Sequence, residues 1–348
     1  MNLGGIFLMF LVLLSCHENN DHPDFEDALT IEENVDNFVQ NYVNDSTPGV
    51  SVLVRKGDKI ILKKSYGLVN LETRQPINSD TPFYLASVSK QFAAMSTMLL
   101  YEEDKLNFDD KITDHLEEAP ELWSQITIHH LLTHRSGIPD YLNDLEWYRS
   151  GLTNQNVLDD LVKLTELEFE PGSKFDYSNS GYVLLAIITS RVSGMPFQDF
   201  MRENIFSPLN MNNSLAYDES RPDVKNVALS YNEDKQLVNY ELLTMGDGGM
   251  FSTINDLDKW EQSFYTDQLI NDASKELAFT SHHSDEYGYG WGIRKIDDHD
   301  HYAHGGGLLG YRTLISRIPG KQFSIIILSN GSYGWIYKLK DEILRVYL

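Results

Sequence analysis

Ser87 and Lys90 stand three residues apart in "FYLASVSKQFAAMSTMLLYEE", a stretch that otherwise reads as a buried helix. On a helix, side chains at i and i+3 share a face, so this hydroxyl and this amine can meet. Such a pair is a nucleophile with its base, provided burial or a nearby cation pulls the lysine's pKa down. A serine at the helix start also sits among free backbone N–H groups, where the dipole stabilises developing negative charge. The same two residues equally describe a helix-start serine and a lysine snorkelling to solvent. Their surroundings must decide.

Three Tyr-x-Asn triplets offer a phenol and an amide: Tyr42-Val43-Asn44, Tyr141-Leu142-Asn143 and Tyr177-Ser178-Asn179. The first falls at the N-terminal helix, before the first strand, and the second follows the turn-like "SGIPD". The third lies in "EPGSKFDYSNSGYVLLAI", a Pro-Gly loop running into a helix, where a rigid turn can present side chains to a cleft. There a phenol can relay a proton and an amide can orient a substrate. A further element, "HGGGLLGYRTLISRI", begins at His304. Gly305, Gly307 and Gly310 match the spacing of a dinucleotide fingerprint, but a β-branched strand follows where that motif needs a helix. Glycines beside a strand instead let a substrate or another backbone come close, with N–H groups free to hold an oxyanion.

Eleven histidines raise the question of a metal. His130 and His134 are four apart in "IHHLLTHRSG", yet no Glu follows His130 to complete a zinc-protease motif. "DDHDHYAH" (297–304) crowds its ligands into one loop. Hydrogen-bonding or solvated histidines are the expectation, with no metal and no cofactor. No Gly-x-Ser-x-Gly occurs, which leaves a nucleophile-elbow hydrolase unsupported.

The elements that must position these groups show as periodicities. Ile31, Val35, Phe38, Val39 and Tyr42 recur at helical spacing, so folded structure is expected from about residue 31. Two β-rich runs around Lys56-Gly57-Asp58 read as a hairpin. Val88, Phe92, Met95 and Leu99 give the Ser87 helix an apolar face, and Ala93 and Ala94 permit close packing beside it. From about 104 to 245 the chain reads as mostly helical, including "VLLAIITSRVSG", stopped by Gly194 and Pro196. "YGYGWGIRKI", "YRTLISRI" and "FSIIILSN" then return to strands, and Trp335–Leu348 closes the chain as an amphipathic helix. The expected class is α/β of the α+β kind. One sheet is built from both ends of the chain (about 33–86 and 246–348), and a helical lobe (about 87–245) is inserted between them.

Lys and Arg total 28 against 52 Asp and Glu, a net charge of −24. That surface repels nucleic-acid backbones and anionic lipid headgroups, so neither is expected as an electrostatic partner. The N-terminal run "IFLMFLVLLSC" ends at Cys16, the only cysteine. A bilayer span needs roughly 20 apolar residues, and this run has the length of a signal-peptide core instead. It resembles the lipobox of bacterial lipoproteins. Residues 1–15 would then be a signal peptide, Cys16 the lipidated residue, and 16–32 an acidic tether. No Lys or Arg precedes the run and Leu14 is larger than usual there, so an uncleaved N-terminal anchor is the alternative. Either reading expects a domain outside the cytoplasm, in the bacterial cell envelope, held to the membrane by its N-terminus. A lone cysteine permits no internal disulfide.

The order and flanks of the three motifs resemble the serine β-lactamase and penicillin-binding-protein superfamily, in its class C–related branch. The stretches that carry this are "FYLASVSKQF", "ITIHHLLTHRSGIPDY", "PGSKFDYSNSGYVLLAIITSRVSG", "IFSPLNMNNS", "GDGGMFSTINDLDKW" and "HGGGLLGYRT". They span roughly 33 to 345. The resemblance implies a β-lactamase/transpeptidase-like fold, an antiparallel sheet with N- and C-terminal helices plus an all-helical lobe. It implies Ser87 as acylated nucleophile, Lys90 as its base, and Tyr177 as proton shuttle. Asn179 would bind the acyl amide, His304-Gly305-Gly306 would border the cleft, and the N–H groups of Ser87 and Gly307 would form the oxyanion hole. Where Lys-Thr-Gly is usual, His304 is only partly charged near neutrality and Gly305 lacks the hydroxyl, so a penicillin carboxylate should be held weakly. The expectation is a serine hydrolase of small esters, amides or peptides (esterase, D-amino-acid peptidase or weak β-lactamase type). The alternative is a cell-envelope protein that binds a peptide or muropeptide without turnover.

Overall fold

The computed structural model describes residues 23–143, 151–217, 227–238, 243–283 and 285–348. Thr30 opens helix α1 (Ile31–Gln40) with a capping box to Glu33. The hairpin β1 (Val50–Lys56) and β2 (Lys59–Tyr66) follows, then a short ribbon of β3 (Leu68–Asn70) and β4 (Gln75–Pro76). Strand β5 (Phe83–Tyr84) leads directly to the Ser87 turn and helix α2 (Ser89–Glu102). Helices α3 (Ile128–Leu132), α4 (Asn154–Leu161), α5 (Asn179–Ser193) and α6 (Phe197–Met201) occupy the middle of the chain. Strands β6 (Leu215–Ala216) and β7 (Met250–Ser252) join β5 in a small sheet of order β5-β7-β6. Then come α7 (Ile254–Ser263), α8 (Asp272–Ala278), β8 (Gly292–Ile296), β9 (His299–Leu308), β10 (Tyr311–Ile318), β11 (Phe323–Ser329) and α9 (Ile336–Tyr347).

The main sheet runs β2-β1-β11-β10-β9-β8 with antiparallel neighbours, so the first hairpin pairs with the last strand. β1 meets β11 from Val50↔Ser329 to Lys56↔Phe323. Because side chains alternate along a strand, the sheet serves two cores. Val50, Val52, Val54, Ile325 and Ile327 pack with Val35, Phe38, Leu339 and Ile343 of α1 and α9. Leu53, Ile315, Ile326 and Leu328 face the other core, with Phe92 of α2 and Trp260 of α7. Each such side chain contributes about 1.5–3 kcal/mol when fully buried. α2 is buried on nearly every side and packs against α5, which ends at Gly194 with φ of 72°.

Three sequence expectations need correction. "YGYGW" at 287–291 is a buried turn and not strand, because Gly290 adopts φ of 76° and the ladder begins only at Gly292. The tether is not free along its length. Phe25 is buried against Phe38, its N–H donates to Glu342 Oε2 at 3.0 Å, and Asp24 pairs with Lys338 at 2.8 Å. The histidine run 297–304 is largely strand β9, so alternate residues face opposite ways and the histidines do not share a loop. Residues 1–22, with Cys16, lie outside the described residues. Among those described, no helix is long and apolar enough to cross a membrane.

Candidate active site

Ser87 lies in a single 3₁₀ turn (Ala86–Val88) that feeds α2. Ala86 takes φ of 49°, a left-handed conformation that costs a non-glycine residue about 1 kcal/mol or more. Its neighbours hold it there. Leu85 donates its N–H to Met250 O at 2.8 Å, and Thr313 Oγ1 of β10 donates to Leu85 O at 2.7 Å. Gly306 of β9 presses on the same turn. A Cβ there would stand 2.3 Å from Leu85 O, 2.4 Å from Thr313 Oγ1 and 3.1 Å from Ser87 N, so only glycine fits.

Lys90, the second residue of α2, is wholly buried. Its Nζ lies 2.7 Å from Asn179 Oδ1, 3.0 Å from Asp247 O and 3.3 Å from Ser87 Oγ. Two of these neighbours are carbonyl oxygens, which only accept. A neutral amine therefore spends both N–H bonds on them and turns its lone pair to the serine. Burial pulls the Lys90 pKa down to about 8, against the opposing carboxylates of Asp247 and Asp140. The burial that the sequence reading asks of Lys90 is present.

Asn179 is the first residue of α5, and its amide orientation is fixed from behind. Nδ2 donates to Asp140 Oδ2 at 2.9 Å, which leaves Oδ1 for Lys90. Burial raises the Asp140 and Asp247 pKa values, most strongly opposed at Asp247 by Lys90. Tyr141 donates to Asp247 Oδ2 at 2.6 Å and lies 2.9 Å from Thr244 Oγ1. The second Tyr-x-Asn triplet is thus part of the floor beneath Lys90. The first is not, since Tyr42 stacks on Trp335 at 4.9 Å in the α1–α9 layer.

Tyr177 brings its ring to 4.8 Å from Lys90 Nζ. Burial holds its pKa well above the ordinary tyrosine value, with the Ser87 hydroxyl as the main opposing influence. At neutral pH it is a phenol, able to donate and to accept. His134 backs it at 4.2 Å between rings and accepts the Ser178 N–H at Nδ1, 3.1 Å. His130 and His134, four apart in sequence, do not share a helix. α3 stops at Leu132, and His130 Nδ1 accepts from Thr127 N at 3.2 Å. Among the described residues, no group of three or more His, Cys, Asp or Glu could hold a metal ion.

His304 closes the cleft from β9. Its Nδ1 donates to Gly305 O at 2.7 Å, so Nε2 accepts from Tyr287 OH at 3.0 Å. Burial, then Lys90, pushes its pKa down to about 3. It is neutral, which corrects the partial charge expected from sequence. Tyr287, Asp140, Tyr141, Asp247 and His134 were not selected as site residues from the sequence. Their only local signals are the "SGIPDY" turn and the glycine-rich "GDGGM" run.

A strained serine turn, a buried lysine 3.3 Å from its hydroxyl, and a phenol ring beside that lysine thus meet in one place on a mixed α/β scaffold. The family model described as Beta-lactamase matches residues 33–345, and the chain belongs to that family of serine hydrolases. "Penicillin-binding protein 4*" of Bacillus subtilis (strain 168) is 32% identical over 309 residues, 80% of this chain and 67% of that protein. "Protein flp" of Staphylococcus aureus (strain COL) is 24% identical over 332 residues, 90% of this chain and 66% of that protein. The chain therefore spans about two thirds of the length of these relatives. The penicillin binding protein of Bacillus halodurans superposes with a TM-score of 0.77 at 30% identity, covering 85% of this chain and 95% of that one. D-amino acid amidase of Ochrobactrum anthropi SV3 shares the fold, with a TM-score of 0.77 at 22% identity and coverage of 91% and 99%.

Proposed function

We propose that the protein hydrolyses an ester or amide through an acyl-enzyme on Ser87. Lys90 takes the Ser87 proton as Oγ bonds to the substrate carbonyl carbon. Tyr177 passes a proton to the leaving group as its bond to that carbon breaks, and water then releases the acid by the reverse relay. The N–H groups of Ser87 and Gly307 are assigned to the developing oxyanion, and Asn179 to the acyl amide. The observation that carries this reading is the Lys90 amine, satisfied by two carbonyls with its remaining valence on Ser87 Oγ.

Among substrates, esters and D-amino-acid amides or peptides are favoured over β-lactams. His304 is neutral and Gly305 has no hydroxyl, so this motif offers a β-lactam carboxylate neither charge nor hydroxyl. The test is intact-mass measurement after treatment with a fluorophosphonate. One adduct is expected, absent in Ser87→Ala, together with turnover of p-nitrophenyl esters by the native chain. A folded protein that neither forms the adduct nor turns over esters would overturn the assignment. A single stoichiometric burst without turnover would mark a binding protein instead. Export and lipidation at Cys16 are proposed from the N-terminal residues alone. Failure of Cys16→Ser to lose labelling by a fatty-acid analogue would refute that lipidation.

A further inference from the structure

His134 follows the end of α3, where the chain turns to run alongside the loop that carries Tyr177. His134 O accepts the Asp176 N–H at 2.9 Å, Arg135 O accepts the Gly172 N–H at 2.8 Å, and Gly137 O accepts the Glu168 N–H at 2.8 Å. The Arg135 side chain adds a bond from Nε to Gly172 O at 3.1 Å. A Cβ on Gly137 would stand 2.1 Å from Phe169 O, so the two segments touch backbone to backbone. Residues 134–137 thus splint the stretch 168–178.

The splint grips hardest at Tyr177. The neighbours of Tyr177 in the chain, Asp176 and Ser178, both give their N–H groups to His134, one to the carbonyl at 2.9 Å and one to Nδ1 at 3.1 Å. The imidazole packs on the Tyr177 ring at 4.2 Å between centroids, with planes 33° apart. One residue so fixes the backbone on either side of the phenol and one face of its ring. The arrangement carries two costs. His134 takes φ of 57°, a region that non-glycine residues seldom adopt. Its Nε2, which holds the proton while Nδ1 accepts, is buried with no hydrogen-bond partner among the described residues. An apolar ring would remove the second cost and leave the Ser178 N–H unpaired instead. Burial holds the His134 pKa well below the usual histidine value, with Lys90 and then His304 acting in the same direction, so Nδ1 stays an acceptor.

We propose that His134 is a positioning residue for the proton shuttle: through its carbonyl, its Nδ1 and its ring it holds the Tyr177 hydroxyl at the leaving group. It acts through Tyr177 and not on the reacting atoms. This rests on the acyl-enzyme reading above, in which Tyr177 protonates the leaving group. A displaced phenol then harms each substrate in proportion to its need for that proton.

p-Nitrophenyl butyrate and ethyl butyrate share an acyl group, and kcat/KM for each reports its transfer to Ser87. p-Nitrophenolate departs without a proton, whereas ethoxide requires one. His134→Phe keeps a ring against Tyr177 but removes the acceptor. It should lower kcat/KM for the ethyl ester by about 100-fold and for the p-nitrophenyl ester by less than about tenfold. His134→Asn puts an amide oxygen near the place of Nδ1 and tolerates a positive φ, so the ratio between the esters should return to within about fivefold of native. A purely structural loss lowers both esters equally. Equal loss on both, no loss on either, or a ratio that His134→Asn disturbs as much as His134→Phe overturns the proposal. If His134→Phe does not fold, as judged by its thermal transition, His134→Leu carries the same comparison. Hydrogen exchange at single-residue resolution in Ser87→Ala separates this proposal from the hydrolase reading. The Asp176 and Ser178 amides should exchange slowly, and about tenfold or more faster once His134→Phe is added. That result upholds the hold on Tyr177 even if neither ester is turned over, which would sink the hydrolase reading alone. Fast exchange in Ser87→Ala itself overturns the hold without any change at His134. Turnover with an unchanged ester ratio in His134→Phe upholds the hydrolase and removes the positioning role.

Discussion

Among the described residues two cations, Arg317 and Lys90, are almost wholly buried, and they are held differently. Arg317 of β10 sits against Glu261 of α7, with Nε 3.0 Å from Oε2 and 3.1 Å from Oε1. The rings of Phe264, Tyr265 and Phe279 surround its guanidinium at 4.9–5.0 Å. A guanidinium does not lose its proton in proteins, so this cation is fixed charge and packing. Lys90 faces two carboxylates without touching either carboxylate group; Asp247 offers it a backbone carbonyl, and Asp140 acts through Asn179. A lysine so held can give up its proton. Burial alone does not decide whether a cation can titrate; the ionisable head, and partners that accept without pairing, do.

The largest test of that contrast is a pair of truncations. Lys90→Ala should lower kcat/KM by roughly 10⁴-fold with the melting temperature little changed. If most activity survives, the base assignment is wrong. Arg317→Met should do the reverse. It strands Glu261 in the interior at a cost of about 3 kcal/mol, lowering Tm by roughly 6–12 °C in calorimetry, with kcat intact below the transition. Loss of kcat at full stability would erase the distinction. Adding Glu261→Gln to Arg317→Met should recover much of the loss.

A smaller effect is expected from Tyr141→Phe, which removes the hydroxyl from Asp247. Denaturant titration should show about 1–3 kcal/mol of destabilisation, with kcat reduced less than tenfold. An unchanged titration midpoint would make Tyr141 a spectator.

The smallest effects are read from pH. A lysine can act as a base only when neutral, so under the proposed mechanism kcat/KM should rise with pH through about 8. Asp140 helps to keep Lys90 charged, so Asp140→Asn should move that limb to lower pH; a shift upward would contradict the charge arrangement. Stability responds with opposite signs in the two clusters. Burial lifts Glu261 to about 7 from the ordinary 4.5, so the folded chain retains a proton that the unfolded chain releases. Its contribution is full below 4.5 and is lost as pH rises through 7. Lys90 behaves conversely, since its depressed pKa adds stability as pH rises from about 8 to 10.5. Urea midpoints of Glu261→Gln against the native chain check the first slope.

What could be read from the sequence was local. The Ser87–Lys90 spacing lies within one helical turn, the Tyr177 loop announces itself by Pro-Gly before a helix, and the strand after His304 is β-branched. The floor of the site was not legible in this way. Tyr141 and Asp247 are 106 positions apart and Asp140 and Asn179 are 39 apart, so no periodicity connects them. "YGYGW" misled because aromatic alternation with period two mimics a strand, while the glycines between them serve a turn. Phe25 was lost in an acidic run whose charges pair with α9.

The sheet that closes the site has a history in time. Gly49 donates its N–H to Asn330 Oδ1 across 281 positions, and β1 pairs with β11, so the β1 side of the hairpin has no partner until the chain is nearly complete. At 5–20 residues per second of synthesis, that wait is on the order of tens of seconds. Throughout it the hairpin presents an unpaired edge, and the Ser87 turn lacks the Gly306 strand that presses on it. The Ser87 turn is therefore made early and braced last, when the final strands arrive to hold it.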